Sequence, residues 1–145
     1  MKRGFTLLEL IVVIIILGVL AVLGFTQYAR IIERSRGAEA KTILGDIRKL
    51  GAGYYLEFVS TSDFPTGAGT NFIGTAADKI PSACRGSHWF KYSVAAGTST
   101  TLTGTATRCS AGGKPPQGGS AGNMTVILES DFSTGSDTWA GTGGY

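Results

Sequence analysis

The chain has 145 residues and carries 13 Lys and Arg against 10 Asp and Glu, a formal net charge of +3; that length suits one compact domain with an appendage, and a second independent domain is not expected. Residues 59–145 hold five cations (Lys79, Arg85, Lys91, Arg108, Lys114) and five acids (Asp63, Asp78, Glu129, Asp131, Asp137), so the basic stripe that tracks a nucleic-acid backbone is missing and direct nucleic-acid binding is not supported. Apolar residues are unevenly spread: 5–25 are almost wholly hydrocarbon, whereas 59–145 carry 15 of the 22 glycines.

Lys2 and Arg3 precede the apolar run. As a helix, its residues span roughly 31 Å, the thickness of a bilayer's hydrocarbon. A secretory signal has a shorter apolar region, about 7–15 residues, and ends at a small-residue cleavage site; here a helical pattern continues past Phe25. The leader cations orient the N-terminus toward the cytoplasm and send the chain beyond residue 30 across the membrane, against a weaker pull from Arg30, Arg34 and Arg36. Glu9 lies inside the run, where a charge at mid-bilayer costs on the order of 2.5–3.5 kcal/mol. Two readings of it stay open on the residues alone: snorkelling to the headgroups, or pairing with a cation on another copy of the chain.

Beyond Phe25, Ala40, Ile43, Leu44, Ile47, Leu50, Tyr54, Tyr55 and Phe58 keep a spacing of three or four, the mark of a buried stripe. Arg34, Arg36, Glu39, Lys41, Arg48 and Lys49 fall largely on other faces, and Glu33–Arg36 and Asp46–Lys49 are placed to pair weakly at i,i+3. The expectation is a single helix from about Phe5 to about Phe58, roughly 80 Å long. It is interrupted by Gly18, Gly24, Gly37, Gly45, Gly51 and Gly53, each costing up to about 1 kcal/mol unless tertiary contacts offset it. "STSDFPT" supplies the turn residues and the proline that end it.

The remainder reads as a small antiparallel sheet. Strands are expected at 88–95, 101–109 and 124–130, the first two joined by a hairpin centred near residues 98 and 99, with a long glycine-rich loop before the third. Cys84 and Cys109 are the two cysteines. They lie near the open base of that hairpin, on the side of the membrane where disulfides persist, and are expected to pair. The stapled sheet would cover the helix stripe, giving an α+β head.

Catalytic and metal patterns are weak. Gly118, Ser120 and Gly122 match G-x-S-x-G, but the single histidine, His88, comes first and the surroundings are loop rather than a strand-to-helix elbow. His88 has no Cys or His neighbours at metal spacing and reads as a strand-edge residue. Asp131 and Asp137, with Glu129, are weak calcium candidates without EF-hand spacing. Asn123 opens an N-glycosylation pattern that often arises by chance. Trp89, Trp139, Tyr54, Tyr55 and Tyr145 are read as core or interface aromatics. No catalytic constellation results, so the chain is not expected to be an enzyme or to need a cofactor.

The N-terminal residues carry more information. "KRG" followed by "FTLLE" at positions 2–9 resembles the processing site of bacterial type IV pilin precursors and of the related pseudopilins of type II secretion: a basic leader ending in glycine, then phenylalanine, threonine, two aliphatics and glutamate. The resemblance covers residues 2 to about 58. It implies cleavage between Gly4 and Phe5 by a prepilin peptidase, methylation of the new Phe5 amine, and pairing of Glu9 with that amine on a neighbouring subunit in the core of a helical homo-oligomeric filament. It implies a leader at 1–4, a transmembrane and filament-core helix at 5–28, and a periplasmic or extracellular head at 29–145. Before assembly the subunit would cross the inner membrane once, N-terminus inside, beside the pilus assembly machinery; afterwards it would lie on the cell surface in a pilus for adhesion, twitching motility or DNA uptake. The alternative within the same resemblance is a pseudopilin of a type II secretion system. Many members have proline where this chain has Thr26, and many frame a loop nearer the C-terminus with their disulfide.

Overall fold

The computed structural model describes residues 4–66, 72–110, 124–143 and 145. Lys2 and Arg3, and the glycine-rich loop with Gly118, Ser120, Gly122 and Asn123, lie outside the described residues.

Helix α1, Leu7–Phe58, is 52 residues long, about 78 Å at 1.5 Å per residue. It runs without a break past Gly18, Gly24 and position 26. Its start falls two residues after the expected Phe5 because Thr6, in extended backbone conformation, is the N-cap and closes a capping box with Glu9. At the other end Val59 takes up a left-handed conformation (φ 55°, ψ 19°) and its N–H donates to the Tyr55 carbonyl at 2.7 Å. The chain is then tied down by buried Thr61, whose hydroxyl donates to the carbonyls of Thr98 (2.9 Å) and Thr101 (3.1 Å). The helix exit is thereby fixed to a turn some forty residues later in the chain.

Two short strands, β1 (Ile73–Gly74) and β2 (Ile80–Pro81), pair in parallel. They add to the elements expected from the sequence, since two residues each are too few for a period to show. The main sheet is an antiparallel meander of β3 (Phe90–Ala96), β4 (Thr101–Arg108), β5 (Thr125–Asp131) and β6 (Ser136–Gly141), in that order. The first three match the expected strands to within two residues at each end. The fourth is additional: all six of its residues are exposed, so no apolar alternation marks it.

Period-two alternation turns Phe90, Tyr92 and Val94, Leu102 and Ala106, and Val126 and Leu128 toward α1, where Ala40, Leu44 and Ile47 meet them in one core. Small residues permit the close approach. A Cβ at Gly104 would lie 2.9 Å from Leu44 Cδ2, and one at Gly51 would lie 2.7 Å from Leu102 Cδ2. The helix glycines are therefore of two kinds. Gly51 and Gly37 meet the head, while Gly18, Gly24, Gly45 and Gly53 have open space around them.

The N-terminal half of α1 is left bare by the head. Within it lies a window long and apolar enough to cross a membrane, none of which is buried; from Leu7 to Phe25 its large apolar side chains stand exposed. A core helix of a water-soluble protein would hide such residues.

Candidate functional site

The chemistry at the N-terminus begins with the cap. The Thr6 N–H and hydroxyl both donate to Glu9 Oε2, at 2.9 and 3.0 Å, and the Glu9 N–H donates to Thr6 Oγ1 at 3.3 Å. The carboxylate thus satisfies donors that a helix start leaves orphaned, at the end where the helix dipole favours negative charge. Glu9 is exposed, and in the single chain its partner is local. The signal that could have located this cap is the Thr-x-x-Glu spacing at 6–9, a capping-box signature just ahead of an apolar run. Gly4 and Phe5 precede the helix in non-helical backbone and are exposed, Phe5 at 87%. The peptide bond between them is open to an enzyme.

A second cluster, which local sequence patterns do not reveal, lies where the helix enters the head. Glu33, expected to be half of a weak surface pair with Arg36, is buried. Its Oε1 accepts from Arg108 Nε at 2.5 Å and from the Tyr145 hydroxyl at 2.6 Å, and its Oε2 accepts from Arg36 Nη1 at 2.9 Å. Arg108 Nη1 also donates to the carbonyls of Trp89 (2.9 Å) and Cys109 (3.1 Å). The Trp89 ring is covered by the guanidinium carbons of Arg36, 3.7 Å from its centroid, and Arg108, at 4.8 Å. The Tyr145 ring packs edge-on against Phe90 and over Gly37, where any side chain would collide with it. Burial pushes the Glu33 carboxyl up, but the donors from Arg108 and Tyr145, the Arg108 charge and the Arg36 donor outweigh it and hold the group below its ordinary range. Burial, then the bond to Glu33, pushes the Tyr145 phenol up.

Other helix charges assigned to free faces are also used by the head. Glu39 Oε1 accepts from the Trp89 N–H at 3.3 Å and lies 3.6 Å from His88 Nδ1, which places His88 at the foot of β3 beside the helix. Arg48 Nε meets Asp137 Oδ1 at 2.6 Å. Lys49 and Asp46 form the expected pair at 2.8 Å.

Cys84 and Cys109 are joined, with Cα atoms 5.6 Å apart and a sequence separation of 25. The bridge fastens the segment before β3 to the end of β4, beside Arg108.

The two calcium candidates do not converge. Asp137 is opposite Ser130, on the helix-facing side of the sheet, whereas Asp131 is opposite Ser136, on the other side. Asp131 Oδ1 accepts from the Ser133 N–H (2.9 Å) and hydroxyl (2.7 Å) and so holds the turn into β6. These hydroxyl and amide donors keep the Asp131 carboxyl below its usual range. For Asp137 the Arg48 donor is the main cause of a shift in the same direction.

A single long helix, half bare and half buried under an antiparallel sheet stapled by one disulfide, is the α+β architecture of pilins. Residues 1–25 match the prokaryotic N-terminal methylation motif. Over 78 residues the chain is 35% identical to the type IV major pilin protein PilA of Myxococcus xanthus (strain DK1622), a match covering 54% of this chain and 33% of that protein. The chain spans about a third of the length of that curated relative. No solved structure gives a significant match. The chain is thus similar to type IV pilins and carries a prepilin-type methylation motif at its N-terminus.

Proposed function

We propose that this chain is a structural, non-catalytic subunit of a type IV pilus. In this reading a prepilin peptidase cuts between Gly4 and Phe5 and methylates the new amine, removing Lys2 and Arg3. The apolar half of α1 holds the subunit in the inner membrane, N-terminus inside, until the assembly machinery moves it into the filament core. There Glu9 exchanges its local cap for the Phe5 amine of a neighbour, two opposite charges neutralising each other in an apolar surrounding. Residues 29–145 form the exposed head, and the filament serves attachment, twitching motility or DNA uptake.

The observation that carries this reading is the bare half-helix headed by an acid: every large apolar side chain from Leu7 to Phe25 is exposed, and the charge at Glu9 is held where the helix begins. A surface of that kind requires lipid or copies of itself. The Cys84–Cys109 bridge favours the pilus over a type II secretion pseudopilin. Electron microscopy of material sheared from cells tests the proposal. Long fibres composed of this chain support it; cells that accumulate the processed chain in the membrane without fibres favour the pseudopilin.

A further inference from the structure

Filament cores are built by helices, but heads must also meet, and the sheet edges here are unequal. β6 is an edge strand with no lysine, proline or bulge to blunt it, and all six of its residues are exposed. The Thr142 N–H donates to the Thr125 carbonyl at 2.9 Å. With the Val126–Gly141 register, this bond, answered by the Thr125 N–H donating to Thr142 Oγ1 at 3.1 Å, turns the Thr142 backbone toward β5, so the backbone groups of Asp137, Trp139 and Gly141 point to the open edge. Trp139 faces the helix side opposite Leu128, yet it is 47% exposed while Leu128 is 3%; α1 covers the strand before it and stops short of the tryptophan.

Charge divides along the same axis. Residues 124–143, which include β5 and β6, carry three acids (Glu129, Asp131, Asp137) and no cation. Residues 72–96, which end in the opposite edge strand β3, carry three cations (Lys79, Arg85, Lys91) and one acid, Asp78. An acidic β5–β6 side and a basic β3 side at opposite ends of one sheet can meet in a heterologous contact, which propagates as a helical polymer when its rotation does not close a ring.

We propose that the β6 edge, with Trp139 as its apolar anchor on the helix-facing side and Glu129 and Asp131 of the neighbouring strand β5 as acidic partners on the opposite face, docks on the Lys91 side of β3 in a second copy of this chain. The proposal rests on the filament reading and names the lateral contact between heads. A zero-length carbodiimide cross-link in sheared wild-type fibres tests it directly. Peptides joining Lys91 to Glu129 or Asp131 of another chain are expected in fibres and not in the same chain dispersed in detergent. Reversing one charge, Glu129→Lys, is expected to lower fibre yield about tenfold, and adding Lys91→Glu to restore it. Trp139→Ser is expected to weaken fibres without the charge change. An intact Cys84–Cys109 bridge and normal membrane insertion establish that the variants fold. Fibres lacking the Lys91 cross-links, or a Glu129→Lys yield that is unchanged or not rescued, overturn the head contact while leaving the filament reading standing. Absence of wild-type fibres removes both.

Discussion

Arg108 on β4 reaches back 75 residues to Glu33 on α1, Nε to Oε1 at 2.5 Å, with the side chains 0% and 6% exposed. This ion pair, completed by Tyr145 and Arg36, orients the head on its stalk. Removing Glu33 takes away the carboxylate that faces the buried Arg108 guanidinium. Glu33→Ala is therefore expected to destabilise the head by about 3–5 kcal/mol, and the double change Glu33→Leu with Arg108→Met to cost less than Glu33→Ala. Urea unfolding of the full chain in detergent checks both. A double variant at least as damaged as the single would deny that the pair is the source of the loss.

Acid should act through the same residue. A carboxyl held below its ordinary range contributes stability that is complete above the unfolded value, about 4.3, and is lost as pH falls through the lower folded value. Unfolding midpoints are expected to stay level from near neutrality down to the ordinary carboxylate range and to fall below it. Glu33→Gln should flatten that acid limb in part, with the remainder belonging to groups such as Asp137, whose bond to Arg48 acts in the same direction. An acid limb identical in Glu33→Gln would assign the loss elsewhere.

The disulfide joins cysteines 25 positions apart, and its removal by Cys84→Ser should cost about 3 kcal/mol through the unfolded chain. Thermal melting of full-length protein measures this. An unchanged melting temperature would show that the bridge does not clamp the sheet.

Two backbone substitutions should move stability in opposite directions. Val59 is a β-branched residue at φ 55° with its side chain exposed. Val59→Gly relieves a left-handed strain of about 1–2 kcal/mol, part of which the added chain entropy of glycine cancels, so a small rise in melting temperature is expected. Gly104→Val forces a side chain against Leu44 Cδ2 and should cost about 1–3 kcal/mol. A gain at Gly104 would mean that helix and sheet have room to separate.

The parts of this fold legible in sequence are those in which burial keeps to a period. Ala40, Leu44 and Ile47 announce a helix face, and Phe90, Tyr92 and Val94 announce a strand face, because each meets a core on every second or every third to fourth residue. β6 cannot be found that way, since "SDTWAG" is exposed throughout and is held by backbone pairing to β5. Glu33 reads as a surface partner of Arg36 because i,i+3 spacing carries no information about a strand far along the chain. Its burial depends on where β4 and Tyr145 arrive, and that is a property of the whole sheet. Thr6 is the opposite case: the cap is written locally and completely in the residues at 6–9.

That cap separates two roles of Glu9. Glutamine also serves in a capping box, so Glu9→Gln should keep the helix start at Leu7 and normal membrane insertion while losing the charge that pairs in trans. Fibre yield from Glu9→Gln is expected to fall well below wild type, as is that of Glu9→Ala, which loses both the charge and the cap. Wild-type yield from the glutamine variant would show that hydrogen bonding alone suffices for assembly.

The central claim is that Glu9 changes partner when subunits leave the membrane, and a cryo-EM map of sheared fibres at side-chain resolution tests it most directly. The account predicts bundled N-terminal helices with each Glu9 carboxylate within ion-pair distance of a methylated Phe5 amine from an adjacent subunit. A map in which Glu9 still bonds to its own Thr6 with no neighbouring amine in reach would contradict it.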